Sequence, residues 1–237
     1  MTMQATAINA PRNAGWRTLT PVRGRGPILL LPAIALAVLA VVTALSYVWS
    51  IPIEHFTKDL AALTRVHPLI SVISSLGAFM YVAATAICLF AWTVAARLPG
   101  TRPDFLLQGG LLSLYLAVDD FYMFHEFVLP RYLGLDEKVV YAALALAILA
   151  FLHAHRSRIM SLNPVLLMAA LACFAVSVIS DVLGESLKSL MGSMQFLLED
   201  GSKFIGISLW AAWFIAAALV VLSPPLVAQQ AQPPAAP

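Results

Sequence analysis

The residues that could carry out chemistry in this chain are acidic residues that interrupt long apolar segments. One such segment reads DDFYMFHE from Asp119 to Glu126, and two later apolar segments carry further acids. Ionisable side chains inside a bilayer are costly, and they mark ion paths, proton relays or substrate sites. The candidate functional residues on the three segments are Asp119, Asp120, Tyr122, His125, Glu126, Asp181, Glu185, Glu199, Asp200 and Lys203.

Acids greatly outnumber bases in this set. Seven carboxylates stand against one lysine, Lys203. A medium of low dielectric constant does not support so many uncompensated charges, so protons, a metal ion, another cation or water must balance them. Each of these solutions implies binding or proton transfer more than simple packing.

A structural role is the alternative for some of these residues. Glu199 and Lys203 are four residues apart with the acid first, the order that favours an ion pair along one helix. Glu126 and Glu185 can face water at the membrane edge. The deeper acids are harder to explain in this way, because several helices carry them.

Composition indicates an integral membrane protein. Hydrophobic residues make up 61% of the 237 residues and charged residues only 11%, whereas about a quarter of the residues in a soluble domain are charged. The net charge of +2 is too small to indicate a nucleic-acid partner. Hydropathy predicts an all-α integral membrane bundle of about six transmembrane helices over 27–50, 68–96, 104–129, 139–155, 164–186 and 194–222.

Two tails flank the predicted transmembrane domain 27–222. Residues 1–26 form a predicted flexible basic tail that contains arginines and no acid. Residues 223–237 are rich in Pro, Ala and Gln and are predicted to be disordered. Basic residues are more numerous in the first tail and in the loops on its side, which predicts cytoplasmic termini in a multi-pass protein of the bacterial plasma (inner) membrane.

The acids of three predicted helices lie at a similar depth in the membrane. Asp119 lies 15 residues after Asp104, which is ~22 Å along a helix and near the outer face of a ~30 Å hydrocarbon core. Asp181 falls near the end of the fifth predicted helix, and Glu199 falls near the start of the sixth. Three helices therefore place acids beneath the same surface.

Helical periodicity adds a prediction about the faces of the third helix. It places Tyr115, Asp119, Tyr122 and Glu126 on one stripe. Asp120 and His125 fall on opposite flanks of that stripe, ~140° apart. We therefore do not expect both to contact one centre.

Two motifs resemble motifs that recur in uncharacterised bacterial multi-span membrane proteins. They are L-x-x-D-D-x-x-x-x-H-E at 116–126 and L-E-D-G-x-K-x-x-G at 198–206. The resemblance implies the same fold and supplies no activity. The cluster also has some similarity to intramembrane metal hydrolases that include alkaline ceramidases. Those enzymes use several histidines, including a late His-x-x-x-His that this chain lacks after residue 155.

The oxygen-rich set of side chains predicts a metal-dependent intramembrane enzyme. Carboxylates with one or two imidazoles suit Mg, Mn, Fe or, less well, Zn, and the bound metal would activate water against a lipid, a lipid-linked substrate or another small molecule. The predicted metal ligands are Asp119, His125, Glu126, Asp181, Glu185 and Glu199. The predicted catalytic residues are Asp119, Glu126, Asp181, Glu199 and Lys203, of which the lysine neutralises charge or binds an anionic headgroup.

Two other functions remain open from the sequence. A proton- or cation-coupled transporter would use intramembrane acids as a relay, although the first, second and fourth predicted helices carry no acid in their cores. A non-catalytic membrane subunit or sensor would use the cluster to bind a cation or the basic segment of a partner protein.

Overall fold

The computed structural model describes residues 26–58, 60–67, 69–97 and 103–223. The predicted tails 1–26 and 223–237 lie outside these ranges, apart from Gly26 and Ser223. All regular structure in the described residues is helical. The helices are α1 (Gly26–Trp49), α2 (Glu54–Thr57), α3 (Leu60–Thr64), α4 (Val72–Ala95), α5 (Asp104–Tyr122), a π-helix (Phe124–Val128), α6 (Leu129–Leu133), α7 (Glu137–Ala154), α8 (Arg156–Ser161), α9 (Val165–Val182), α10 (Gly184–Met191) and α11 (Met194–Leu222).

Five of these helices are long and apolar enough to cross a membrane, namely α1, α4, α7, α9 and α11. The prediction of an all-α protein with several membrane-spanning segments agrees with this finding. The count of six spans is not confirmed, because α5 is not among the five candidates. Its 19 residues include Asp104, Asp119 and Asp120 as well as Gln108, which lower its hydropathy.

The chain divides into two compact units, residues 1–70 and residues 71–237. In the first unit, α1 buries none of its residues from Pro32 to Trp49. A helix that is apolar on all sides suits the interior of a membrane when protein does not cover it. Exposed side chains of α1 include Leu36, Tyr47 and Val48.

In the second unit, α11 is the central helix. It packs against α4 and α9, and α4 in turn packs against α5. Gly206 permits the close approach of α9 and α11, because a Cβ atom there would lie 2.7 Å from the ring of Phe174 and 3.2 Å from the carbonyl oxygen of Ala170.

Aromatic residues of α11 fill the centre of this unit. Trp210, Trp213 and Phe214 are almost completely buried. The indole of Trp210 donates to Ser113 Oγ of α5 at 2.9 Å, and the indole of Trp213 donates to the carbonyl oxygen of Asn163 at 3.2 Å. Both donors are satisfied, which buried tryptophans require.

Helix α7 is attached more loosely than these four helices. Only Val140 and Phe151 are buried among its residues. It packs mainly against α5, the π-helix, α6 and α8, and single side chains of α7 also contact α9 and α11. This looser attachment leaves space between α7 and the core of the second unit.

Candidate functional site

The site begins where α5 ends. Met123 adopts a left-handed conformation with φ 53°, and its N–H donates to the carbonyl oxygen of Asp119. A left-handed residue other than glycine costs about 1–2 kcal/mol. The π-helix Phe124–Val128 follows at once. The chain therefore does not continue as one helix to residue 129, and the predicted stripe from Tyr115 to Glu126 does not form.

The turn at Met123 folds His125 back onto Asp119. The main-chain N–H of His125 donates to Asp119 Oδ1 at 3.1 Å, and its ring Nδ1 lies 2.6 Å from Asp119 Oδ2. The side chains of His125 and Asp119 are only 6% and 5% exposed. These bonds offset the cost of the left-handed turn, since charge-assisted hydrogen bonds stabilise by about 1.5–3 kcal/mol each.

The second ring nitrogen of His125 faces another carboxylate. His125 Nε2 lies 3.2 Å from Glu126 Oε1, and the Glu126 side chain is 43% exposed. We call Asp119, His125 and Glu126 the carboxylate–histidine triad. Its imidazole is held between one buried and one accessible acid.

The triad has a distinct charge state. His125 and Glu126 follow the end of α5 and lie outside the five candidate spans. Burial alone lowers the pKa of His125, but hydrogen bonds to Asp119 and Glu126 raise it to about 9. The hydrogen bond from His125 lowers the pKa of Glu126. At neutral pH His125 is therefore an imidazolium and Glu126 a carboxylate.

A second ion pair joins α5 to α11. Lys203 Nζ contacts Asp120 Oδ1, so the lysine pairs with this acid rather than with Glu199. Glu199 Oε2 instead accepts a hydrogen bond from the amide of Gln195 at 2.9 Å. The ammonium group is thus already engaged by a carboxylate, which disfavours the predicted role of Lys203 as a receptor for an anionic headgroup.

Tyr141 of α7 connects the triad to α9. Its hydroxyl donates to Asp181 Oδ2 at 3.1 Å, and its ring centroid lies 4.9 Å from that of His125. Tyr141 is not among the residues predicted from the sequence. It is one of six tyrosines in the chain, and its only signal is a hydroxyl near the start of an apolar segment.

These groups line one cavity of about 480 Å³. Its size falls within the range of about 300–1,000 Å³ that is usual for small-molecule sites. The polar part of the wall comes from the C-terminal ends of α5 and α9, the π-helix and the N-terminal ends of α7 and α11. Farther along α7 and α9 the wall is apolar. The apolar residues on these two helices are Leu144, Ala145, Ile148, Leu149, Leu152, Leu171, Phe174, Ala175 and Val178.

The structure brings most of the predicted site residues to this cavity. Those on its wall are Asp119, Asp120, His125, Glu126, Asp181, Glu199, Asp200 and Lys203. Asp120 and His125 both reach the wall, contrary to the expectation from a continuous helix, because the chain turns at Met123 between them.

Two predicted residues are not brought to the cavity. Tyr122 is 61% exposed and packs edge to face against the ring of Phe121. Glu185 is exposed on α10, because α9 ends at Val182 and a new helix begins at Gly184. Ser177, which the sequence analysis did not list among the candidates, is buried on the cavity wall.

The arrangement does not support the predicted metal centre. Among the described residues, no group of three His, Cys, Asp or Glu side chains could hold a metal ion. Both ring nitrogens of His125 already contact carboxylates, so neither presents a free lone pair. Binding of Mg, Mn, Fe or Zn therefore stays a prediction from the sequence alone.

A model of a known protein family matches most of the chain. No curated protein and no solved structure matches the chain. The model of the family described as "Domain of unknown function (DUF8692)" matches residues 33–217. This range includes all the residues of the cavity wall and covers more than half of the chain. The chain therefore belongs to the DUF8692 family.

Proposed function

We propose that this protein is an intramembrane enzyme that acts on an amphipathic, lipid-derived molecule by acid–base catalysis. The observation that supports the proposal is the carboxylate–histidine triad at the polar end of an otherwise apolar cavity. Histidine is the side chain that most often transfers protons in enzymes, and a carboxylate partner can hold its ring in the orientation this requires. The apolar wall suits a hydrocarbon chain, which a water-soluble substrate lacks.

Each member of the triad has a role in this proposal. Asp119 holds Nδ1–H, which orients the ring and directs Nε2 away from the buried carboxylate. The imidazolium of His125 then serves as the general acid. Glu126, which is accessible and has a lowered pKa, serves as the general base. Two neighbouring groups with opposite protonation states are the usual basis for assigning an acid and a base.

The proposal also includes a position in the membrane. We infer that α5 crosses the membrane as a sixth span, since it packs against α4 and keeps Asp119 buried. The distribution of basic residues along the sequence supports cytoplasmic termini in the plasma membrane. With that orientation, the polar end of the cavity faces the outer side.

The transporter hypothesis has less support. The polar groups lie at one end of the cavity, and the wall along α7 and α9 is apolar away from that end. A proton or cation would meet few groups along this wall that could carry it farther.

Turnover in a defined membrane tests the proposal. The purified full-length protein is placed in liposomes made from a total lipid extract of bacterial inner membranes, and new lipid species are followed by mass spectrometry. We expect time-dependent conversion by the wild type. His125→Gln should lose about 100-fold or more of the rate, the usual contribution of a general acid.

His153→Gln is the matched control. His153 is exposed at the opposite end of α7 from the cavity's polar groups, so this variant should retain the wild-type rate. A wild type that converts no lipid in the extract, or a His125→Gln variant that is as fast as the wild type, would overturn the proposal.

A further inference from the structure

We propose that the cavity binds an amphipathic amine, with the cationic head between the carboxylates of α9 and α11 and a single hydrocarbon chain between α7 and α9. This inference rests on the proposed function and names its substrate class. The binding site is formed by the cavity described above.

The charge at the polar end selects a cation. Six acids of the cavity wall face two side chains that can carry positive charge, His125 and Lys203. Both of these side chains are already paired, His125 with Asp119 and Glu126, and Lys203 with Asp120. An anionic head would add charge of the same sign to this excess, whereas an amine would reduce it.

Three carboxylates remain available to an amine. Asp181 and Glu199 accept hydrogen bonds only from neutral groups, a tyrosine hydroxyl and a glutamine amide. Asp200 has no hydrogen-bond or ion-pair partner in the part of the chain that the structure describes. An ammonium group supplies three N–H donors and a positive charge, which matches these acceptors.

Asp120 is not one of these acceptors. Its side chain is only 6% exposed, and its Oδ2 is buried without a hydrogen-bond partner. Oδ1 takes the contact from Lys203, and the residue lies on the cavity wall. Oδ2 lies 3.8 Å from the position that a Cβ atom of Gly77 on α4 would occupy, so the acids of α9 and α11 alone are placed to hold the amine.

The cavity, with its polar end included, is about as long as one leaflet of the membrane is deep. On α7 the lining runs from Tyr141 to Leu152, and on α9 it runs from Asp181 back to Leu171. At 1.5 Å per residue these stretches are ~15–17 Å long, which is about half of a ~30 Å hydrocarbon core. A chain from one leaflet therefore fits along these helices while its head stays among the acids.

The cavity opens sideways between α7 and α9. Ala145 and Leu149 on α7, and Ala175 and Val178 on α9, line the cavity and are themselves exposed. Leu149 is 58% exposed and Val178 is 37% exposed. Because α7 and α9 are both candidate spans, this opening faces the hydrocarbon of the membrane. An amphipath can then enter without leaving the bilayer.

Photolabelling with matched probes tests the inference. Three probes share one sixteen-carbon chain that carries a diazirine and differ in the head group, which is a primary amine, a hydroxyl or a sulfate. The full-length protein in phosphatidylcholine nanodiscs is irradiated with each probe, and labelled peptides are identified by mass spectrometry. We expect the amine probe to label α7 and α9 at least about tenfold more than the sulfate probe does, since charged hydrogen bonds are lost with the anion.

Substitutions of the acids that bind the amine, and of residues at the opening between α7 and α9, provide matched controls. Asp181→Asn and Asp200→Asn should each lower amine labelling several-fold, whereas Glu185→Gln, which changes an exposed acid outside the cavity, should not. Ala145→Trp should obstruct the opening and reduce labelling by all three probes. Ala147→Trp, at an exposed position of α7 that does not line the cavity, should leave labelling unchanged.

The outcomes separate this inference from the proposed function. Equal labelling by the amine and sulfate probes, or labelling confined to helices other than α7 and α9, overturns the amine ligand even if lipid turnover occurs. Selective amine labelling in a wild type that converts no lipid supports the ligand and refutes the enzyme. Each variant is first checked for wild-type elution on size exclusion, so that an unfolded protein is not mistaken for a non-binding one.

Discussion

Replacing Asp119 by asparagine removes the charge that holds His125 protonated. In the wild type, the pKa of His125 is raised to about 9 from an ordinary value of about 6.5. This difference corresponds to about 3 kcal/mol in favour of the charged ring in the folded protein. Asparagine keeps an oxygen that can accept the main-chain N–H, but it carries no charge. We expect most of the 3 kcal/mol to be lost.

Protonated His125 stabilises the folded protein at low pH, and this stabilisation is lost as the pH rises. Because the pKa of His125 is higher in the folded than in the unfolded chain, its stabilisation is complete below pH ~6.5 and disappears as the pH rises through ~9. The wild type should therefore lose about 3 kcal/mol of unfolding free energy across this range, relative to Asp119→Asn. At pH 6 the variant should be the less stable protein, and near pH 9.5 the difference should largely vanish.

Unfolding in mixed micelles with increasing sodium dodecyl sulfate measures this difference at each pH. Asp104→Asn is the control, since Asp104 is an exposed acid at the other end of α5. The unfolding free energy of Asp104→Asn should differ from that of the wild type by the same amount at pH 6 and at pH 9.5. A direct check is a ¹⁵N NMR titration of the His125 ring. A measured pKa below 7, or a stability difference between wild type and Asp119→Asn that is constant from pH 6 to 9.5, would refute the assigned charge state.

Three further outcomes follow from the site. Lys203→Met should destabilise the protein by about 3 kcal/mol, because it leaves Asp120 buried and unpaired, and the double variant Lys203→Met/Asp120→Leu should recover most of this loss in the same unfolding assay. Tyr141→Phe should lower the unfolding free energy by about 1 kcal/mol, because Asp181 loses its hydrogen-bond donor; an unchanged value would contradict the observed contact. Lipid turnover should persist after dialysis against EDTA, because His125 has no free ring nitrogen; a loss that Mg²⁺ or Zn²⁺ restores would favour the metal-dependent enzyme predicted from the sequence.

The long helices could be predicted from the sequence, because a segment that crosses lipid must be apolar regardless of its tertiary contacts. The predicted spans 27–50 and 194–222 match α1 and α11 within one residue at each end. The predicted span 104–129, in contrast, does not form one continuous helix, because α5 ends at Tyr122. Its break at Met123 depends on hydrogen bonds between Asp119 and His125, which are contacts of the folded chain. A methionine in a left-handed conformation leaves no mark in the sequence.

For the site, too, the positions of residues along a helix could be predicted from the sequence, whereas contacts between helices could not. Helical spacing placed Asp119, Asp181 and Glu199 at one level, and all three lie on the cavity wall. The spacing could not show that Lys203 prefers Asp120 on another helix to the nearby Glu199 on its own. It also could not show that α9 ends at Val182 and a new helix begins at Gly184, which leaves Glu185 exposed outside the cavity.

The bonds between Asp119 and His125 link the shape of the C-terminal end of α5 to the position of the imidazole ring. One carboxylate receives both the backbone amide and the ring of the same histidine. A substitution at Asp119 is therefore expected to change two things at once: the residue at which α5 ends and the orientation of the His125 ring. A change at His125 spares the amide and removes only the ring. A substitution at His125 is therefore expected to leave the end of α5 in place, whereas a substitution at Asp119 is expected to disturb both the turn and the ring.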